Sequence, residues 1–140
     1  HADMTRFLIT LRDGVEFVLK NFYRMRGGEI FVPKIPSARI VDLATAMAPN
    51  LEQKIIGIRP GEKIHEIMCP EDDSHLTLEF EDHYLIQPSI TFTSRGNNYK
   101  ENILGEIGVP VEAGFLYSSG VNDHFLTIQE LTQFNSISGR

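Results

Sequence analysis

The sequence predicts an α/β fold. Over the first half of the chain, short apolar runs alternate with segments whose apolar residues recur at helical spacing. Such alternation is typical of strands that are connected by helices. The chain has 140 residues, of which 41% are hydrophobic and 23% charged, a composition that suits a globular protein with a buried core.

The first predicted strand is the apolar run Phe7-Leu8-Ile9. A helix is predicted from about Leu11 to Met25, because apolar residues recur there at helical spacing. These residues are Val15, Val18, Leu19 and Phe22. We expect them to form one buried face. The helix should end before Gly27-Gly28, since glycine readily adopts the positive φ that ends helices.

Two further strand and helix pairs are predicted. Ile30-Phe31-Val32 forms a short strand, and prolines 33 and 36 keep the next segment extended. Val41 to Met47 has helical spacing and lies just before a proline. Lys54 to Ile58 is the next predicted strand, and Glu62 to Met68 the next short helix.

The pattern changes after Pro70. Apolar and polar residues alternate over residues 76–80, which predicts a strand. Tyr84-Leu85-Ile86 and Ile90-Thr91-Phe92 are separated by Pro88, and we expect both to be edge strands.

The C-terminal part is predicted to be less regular. Helical and strand periodicity fade from Ser94 to Gly114, so we expect a surface loop there rather than packed core. A last helix is predicted at Thr127, where Thr127-x-x-Glu130 forms a capping box. The predicted organisation is therefore an α/β region over residues 1–93 and an irregular extension over residues 94–140 that ends in a helix.

Composition excludes several classes of function. The formal net charge of -6 disfavours nucleic-acid binding, which requires clustered Lys and Arg. No apolar run approaches the roughly 20 residues of a membrane span. The single cysteine, Cys69, suits a reducing compartment, so we expect a cytoplasmic location. Because residue 1 is His rather than Met, we expect a fragment or a processed chain.

Motifs for catalysis, cofactors and metals are missing from the sequence. The stretch Glu71 to His83 is rich in carboxylates and histidines, but its spacing matches neither a calcium loop nor a zinc site, so we interpret it as a solvated acidic surface. His65 and His124 have no partner at a recognisable catalytic spacing. The chain also has no glycine fingerprint for a dinucleotide. We therefore assign no catalytic, cofactor-binding or metal-binding residue.

The strongest candidate site is the segment from Ile58 to Lys63, a predicted strand end followed by a turn. Arg59 offers a planar fork of donors that suits phosphate oxygens, and Glu62 can accept hydrogen bonds from ribose hydroxyls. Arg6, just before the first strand, is a second candidate for anion binding. Spacing alone favours the plainer interpretation, a capped turn with an exposed arginine.

Five stretches together resemble one family. They are Met4 to Phe7, Gly28 to Ser37, Ile56 to Glu66, Glu79 to Asp82 and Tyr117 to Ser119. They are similar to the C-terminal portion of the inverting UDP-N-acetylglucosamine 4,6-dehydratases. The resemblance is strong as far as residue 87 and looser beyond it.

The resemblance implies the C-terminal substrate-binding portion of an extended short-chain dehydrogenase/reductase, without the main Rossmann half. Enzymes of this family act in bacterial surface-glycan and flagellin-glycan biosynthesis, and their N-terminal half carries the catalytic residues and NADP, or NAD. The chain alone should therefore be inactive. By resemblance, Arg59 and Glu62 hold the diphosphate and the uridine ribose of a UDP-sugar, and Arg6 contacts phosphate.

Two departures leave alternatives open. Leu8 stands where the family commonly has Trp, and residues 94–114 follow no family pattern. A UDP-sugar 4-epimerase of capsule or O-antigen synthesis shares the same UDP grip, and a non-catalytic UDP-sugar-binding or assembly module is the alternative from another class. Without a Rossmann half, apolar faces should be exposed, so we expect a homo-oligomer.

Overall fold

The structure, a computed structural model, describes residues 1–90 and 98–138, and it confirms the predicted α/β class. The strands are β1 (Thr5–Phe7), β2 (Ile30–Pro33), β3 (Ser37–Arg39), β4 (Ile67–Cys69), β5 (Thr77–Glu79), β6 (His83–Ile86), β7 (Val109–Pro110) and β8 (Tyr117–Ser118). The α-helices are α1 (Leu11–Arg24), α2 (Ile40–Met47) and α3 (Ile128–Ser138), and a 3₁₀ helix spans Glu71–Leu76. Within the described residues, no helix is long and apolar enough to cross a membrane.

The chain forms two compact units, each assembled from separate segments. Unit 1 contains His1–Arg12, Ile35–Ile67 and Ser118–Arg140, and unit 2 contains Asp13–Lys34 and Met68–Tyr117. The functional division into residues 1–93 and 94–140 stays a prediction.

Unit 1 combines a small sheet with a helix pair. β1 and β3 are antiparallel, with Thr5 opposite Arg39 and Phe7 opposite Ser37. α2 packs against α3, in which Leu131 is fully buried. The predicted capping box of α3 is confirmed, since the N–H and the hydroxyl of Thr127 both donate to Oε2 of Glu130 at 2.8 Å.

Unit 2 contains a four-stranded antiparallel sheet in the order β2-β6-β5-β7. The expectation that Tyr84-Leu85-Ile86 is an edge strand is wrong, because β6 lies between β2 and β5. The buried cluster of this unit contains Leu78, Phe80, Leu85 and Tyr99. Tyr99 also corrects the surface-loop prediction for residues 94–114, of which 94–97 lie outside the described residues, as does most of the predicted strand Ile90-Thr91-Phe92.

Two predicted elements of unit 1 are absent. Residues 54–58, the predicted strand, are exposed and do not have strand conformation. The predicted helix from Glu62 to Met68 does not form either, because the carbonyl of Ile64 accepts the N–H of Thr5 at 3.0 Å. That carbonyl is thus bonded to β1 rather than to a following turn of helix. The end of the segment, Ile67–Cys69, is strand β4.

Helix α1 forms where predicted, but the prediction of a buried apolar face is wrong. The four side chains of that face are between 49% and 66% exposed: Val15, Val18, Leu19 and Phe22. The buried residues of this helix are instead Asn21 and Arg24, on the opposite face. We call the four exposed residues the α1 apolar stripe.

The physical reason is a buried ionic cluster around Arg24, whose side chain is 0% exposed. Its Nη2 donates to both carboxylate oxygens of Asp82 at 2.8 Å and to Glu106 at 3.1 Å. Its Nε lies 2.7 Å from Oε2 of Glu106, as an ion pair rather than an aligned hydrogen bond. Burial alone would lower the pKa of Arg24, but the bonds to Asp82 and Glu106 raise it, so the guanidinium stays charged.

His83 extends this cluster into the aromatic core. Its Nδ1 lies 2.8 Å from Oδ1 of Asp82, and its ring stacks on Phe80 with 4.5 Å between centroids. Burial lowers the pKa of His83, so the neutral ring donates its Nδ1–H to the carboxylate. Burial alone would raise the pKa of Asp82, but hydrogen bonds from Arg24, His83 and Lys20 lower it.

Replacing Arg24 by Leu should destabilise unit 2 by about 1.5–3 kcal/mol, because it removes charge-assisted hydrogen bonds to two carboxylates that are themselves partly solvated. Lys20→Ala is the matched control, since Lys20 pairs with the same Asp82 from an exposed position at 3.0 Å and should cost at most about 1 kcal/mol. All four tyrosines lie in unit 2, so tyrosine fluorescence during urea unfolding reports on this unit. Equal losses in the two variants would contradict the assignment.

Candidate substrate-binding site

The predicted turn at Arg59 to Glu62 is confirmed. The N–H of Arg59 donates to Oε2 of Glu62 at 3.0 Å, and the N–H of Glu62 donates to the carbonyl of Arg59 at 3.0 Å. Gly61 has φ +79°, a conformation that favours glycine, and Pro60 fixes φ at the preceding position. The side chains of Arg59 and Glu62 are exposed, so the turn presents a cation and a carboxylate to solvent.

Arg6 ties β1 to the segment that follows this turn. Its Nη1 donates to the carbonyls of Thr5 at 2.6 Å and Ile64 at 3.2 Å, and its Nη2 donates to the carbonyl of Lys63 at 3.0 Å. Its Nε lies 3.7 Å from Oε1 of Glu66. These contacts make Arg6 a positioning residue for the segment, and its contact with phosphate stays a prediction.

A second set of hydrogen bonds holds the same segment and involves residues to which the sequence analysis gave no role. Oγ1 of Thr5 lies 2.8 Å from both Nδ1 of His65 and Oγ of Ser119. Ser119 also accepts the N–H of Glu66 at 2.9 Å, and its own N–H donates to the carbonyl of Glu66 at 2.8 Å. Positions 5, 65 and 119 are too far apart in sequence for any spacing rule to connect them.

The three predicted substrate-binding residues therefore lie in one unit and on connected backbone. Arg59 and Glu62 share a turn, and Arg6 holds the residues directly after it. The acidic stretch from Glu71 to His83 lies in unit 2, where Asp82 pairs with Arg24 and Glu79 with Lys34 at 2.7 Å. Within residues 1–90 and 98–138, no group of three or more potential metal ligands is found.

Each unit also contains a cavity. The cavity of unit 1, about 280 Å³ in volume, is lined by residues from α2 and from the segment before the turn, among them Val41, Lys54 and Ile56. This volume is just below the range for ligand sites, about 300–1,000 Å³. The cavity of unit 2, about 540 Å³, is lined by Glu79 and residues 109–115 and contains none of the predicted substrate-binding residues.

The family model of the polysaccharide biosynthesis proteins matches residues 1–88, a stretch that includes the Arg59 to Glu62 turn. The chain belongs to this family. Among relatives, the inverting UDP-N-acetylglucosamine 4,6-dehydratase of Campylobacter jejuni subsp. jejuni serotype O:2 is 60% identical over 130 residues, 93% of this chain. The resemblance predicted from the five sequence stretches is confirmed.

The chain spans 39% of the length of that dehydratase. A UDP-glucose 4-epimerase of Rickettsia canadensis is 39% identical over 87 residues, which are 59% of this chain and 26% of the epimerase. The crystal structure of Pen from Bacillus thuringiensis superposes with a TM-score of 0.73 at 23% identity, over 99% of this chain and 39% of that one. That structure supports the fold alone.

Replacing Arg6 by Lys should loosen the segment after the turn, because an ammonium cannot reproduce the guanidinium fork that reaches the carbonyls of Lys63 and Ile64. Amide hydrogen exchange of Thr5, whose N–H donates to Ile64, should be at least about tenfold faster, a change of about 1.4 kcal/mol in opening free energy. Arg59→Lys is the control and should leave this amide unchanged. Unaltered exchange in Arg6→Lys would contradict the positioning role.

Proposed function

We propose that this chain is the UDP-sugar-binding part of an inverting UDP-N-acetylglucosamine 4,6-dehydratase, a lyase of surface-glycan biosynthesis. The observation that carries the proposal is the 60% identity to an enzyme of that name over 93% of the chain. The exposed cation and carboxylate of the Arg59 to Glu62 turn support it, since they suit the two polar parts of a nucleotide. In this proposal the chain is the substrate-binding part of an extended short-chain dehydrogenase/reductase.

In the proposed site, Arg59 pairs with the diphosphate and Glu62 accepts hydrogen bonds from the ribose hydroxyls. An exposed guanidinium retains its donors for two phosphate oxygens at once. The two hydrogen bonds within the turn fix the Cα positions of both residues before the ligand arrives, which reduces the entropy lost on binding. One joins the N–H of Arg59 to the Glu62 carboxylate, and the other joins the N–H of Glu62 to the carbonyl of Arg59. Arg6 contributes by holding Lys63 and Ile64 in place.

A UDP-sugar 4-epimerase is the second candidate, and the 39% identity to the Rickettsia canadensis enzyme favours it. That similarity covers 59% of the chain, whereas the similarity to the dehydratase covers 93% at higher identity. The dehydratase is therefore the better supported parent. A non-catalytic UDP-sugar-binding or assembly module would show the same turn and differ only in its lack of a catalytic partner.

The NADP, or NAD, of the proposed parent enzyme does not fit the residues of this chain. A dinucleotide site needs a glycine-rich junction between a strand and a helix. Among the described residues, the junctions from β1 to α1 and from β3 to α2 contain no glycine, and the junction from β8 to α3 contains a single one, Gly120. In this proposal the cofactor and the catalytic groups belong to the remainder of the parent, an N-terminal Rossmann half, so we expect the chain alone to be inactive. The single cysteine is the basis for proposing a cytoplasmic location.

Isothermal titration calorimetry with UDP tests the proposed UDP-binding site at Arg59 and Glu62. The chain should bind UDP weakly, because an open turn encloses little of the ligand, and Arg59→Ala should weaken this binding at least about tenfold, or 1.4 kcal/mol. Arg39→Ala is the matched control, since Arg39 is an exposed arginine of the same unit. Equal binding by the two variants, or no binding by the unaltered chain, would contradict a UDP grip on this chain.

The α1 apolar stripe supports the further proposal that the chain self-associates. Static light scattering should show a mass above that of a monomer, and Phe22→Glu should lower it because the charge would be buried at the contact. Leu51→Glu is the control, since Leu51 is an exposed apolar residue of unit 1, 73% accessible. A monomer at all concentrations would overturn this proposal without affecting the UDP grip.

A further inference from the structure

His65 is exposed to solvent, yet one edge of its imidazole is fixed. Nδ1 lies 2.8 Å from Oγ1 of Thr5. The ring also lies directly against the backbone of Gly120, where an added Cβ would come within 2.6 Å of both Cγ and Nδ1. Only glycine at position 120 leaves room for the ring in this place. The opposite edge, which contains Nε2, is therefore held in a defined direction.

The hydrogen bonds around Thr5 determine which ring nitrogen carries the proton. Ser119 is fully buried, and its Oγ accepts the N–H of Glu66 at 2.9 Å. Its hydroxyl hydrogen then goes to Oγ1 of Thr5 at 2.8 Å, because the reverse direction would leave this buried hydrogen without an acceptor among the described residues. Thr5 in turn donates its hydrogen to Nδ1 of His65. The neutral ring thus carries its proton on Nε2.

We propose that His65 is a further substrate-binding residue, whose Nε2–H donates a hydrogen bond to a diphosphate oxygen of the nucleotide-sugar. This inference rests on the proposed function. His65 is three positions after Glu62 in the sequence, so their Cα atoms are at most about 10 Å apart. A nucleoside diphosphate bound at Arg59 and Glu62 is long enough to span that distance.

The buried hydroxyls of Thr5 and Ser119 prepare Nε2–H of His65 for ligand binding. An imidazole on the surface normally exchanges its proton between the two nitrogens and rotates freely, so binding a ligand must fix both. Here Ser119 and Thr5 select the tautomer and Gly120 limits the rotation before the ligand arrives. The arrangement resembles the way in which a second partner fixes the tautomer of a functional histidine.

The first test measures the tautomer in the unliganded chain. Two-dimensional ¹⁵N NMR should show His65 in the Nε2–H form. Thr5→Val, which removes the donor to Nδ1, should produce a mixture of tautomers, whereas Thr5→Ser should retain the Nε2–H form. A neutral His65 that is already a mixture in the unaltered protein, or carries its proton on Nδ1, would overturn the inference whatever the variants do.

The second test uses two substitutions to determine which ring nitrogen of His65 binds the ligand. In His65→Gln the amide nitrogen takes the position of Nε2, and in His65→Asn it takes the position of Nδ1. UDP binding, followed by NMR titration of the full chain, should remain within about threefold for His65→Gln and weaken about tenfold or more for His65→Asn. Equal effects of the two substitutions, or no effect of either, would contradict a ligand bond from Nε2.

The titration also separates this inference from the proposed function. UDP should shift the ¹⁵N signals of both the Arg59 guanidinium and the His65 ring. Shifts at Arg59 without shifts at His65 would support UDP binding at Arg59 and reject the role of His65. No shift at either residue would reject the proposed function for this chain and, with it, the ligand bond of His65.

Discussion

Burial of the Arg24 guanidinium is the constraint on which unit 2 depends. A buried cation is tolerated only when carboxylates surround it, because desolvation costs several kcal/mol. Asp82 and Glu106 provide this charge from segments that are 58 and 82 residues away in sequence. The cluster therefore fixes the turn between β5 and β6, and the segment that contains Glu106, against the C-terminal end of α1. The same requirement directs inward the face of α1 that contains Phe17, Asn21 and Arg24, and it leaves the apolar stripe exposed.

In unit 1, the corresponding constraint is that the polar groups beside β1 must be paired in hydrogen bonds. β1 has three residues and pairs with β3 on one side. On its other side the segment from Lys63 to Glu66 bonds to it without becoming a regular strand. Arg6 and Thr5, neighbours on β1, hold this segment through different partners, the first through carbonyls and Glu66 and the second through His65 and Ser119. The turn of Arg59 and Glu62 is thus attached to a part of the chain whose polar groups are already paired.

The sequence predicts those parts of the structure that local signals control. α1 and α2 lie within one residue of their predicted bounds, and α3 begins one residue after its predicted start, because periodicity, glycines and the Thr127 capping box are local. The spacing of apolar residues does not predict which face of α1 packs against the rest of unit 2, since the partners of Arg24 are distant in sequence. For the same reason, Tyr99 was expected in a loop although its hydroxyl donates to the carbonyl of Gly27 at 2.8 Å. In the candidate site the turn was predictable from Pro60 and Gly61, whereas the Ser119–Thr5–His65 chain of hydrogen bonds was not.

The proposed UDP site and the proposed His65 hydrogen bond together mean that this chain orients its ligand rather than enclosing it. A ligand of nucleotide-sugar size normally has 70–90% of its surface buried in a pocket, but Arg59 and Glu62 are exposed and do not line the cavity of unit 1. In these proposals, the affinity of this surface alone for UDP should therefore be low. In the same proposals the turn fixes the backbone of Arg59, and buried hydroxyls fix the ring of His65. A second protein surface would then add desolvation, and mainly the Arg59 side chain would still have to become ordered. Low affinity for UDP and a fixed His65 tautomer in the same chain are then consistent properties of one half of a binding site.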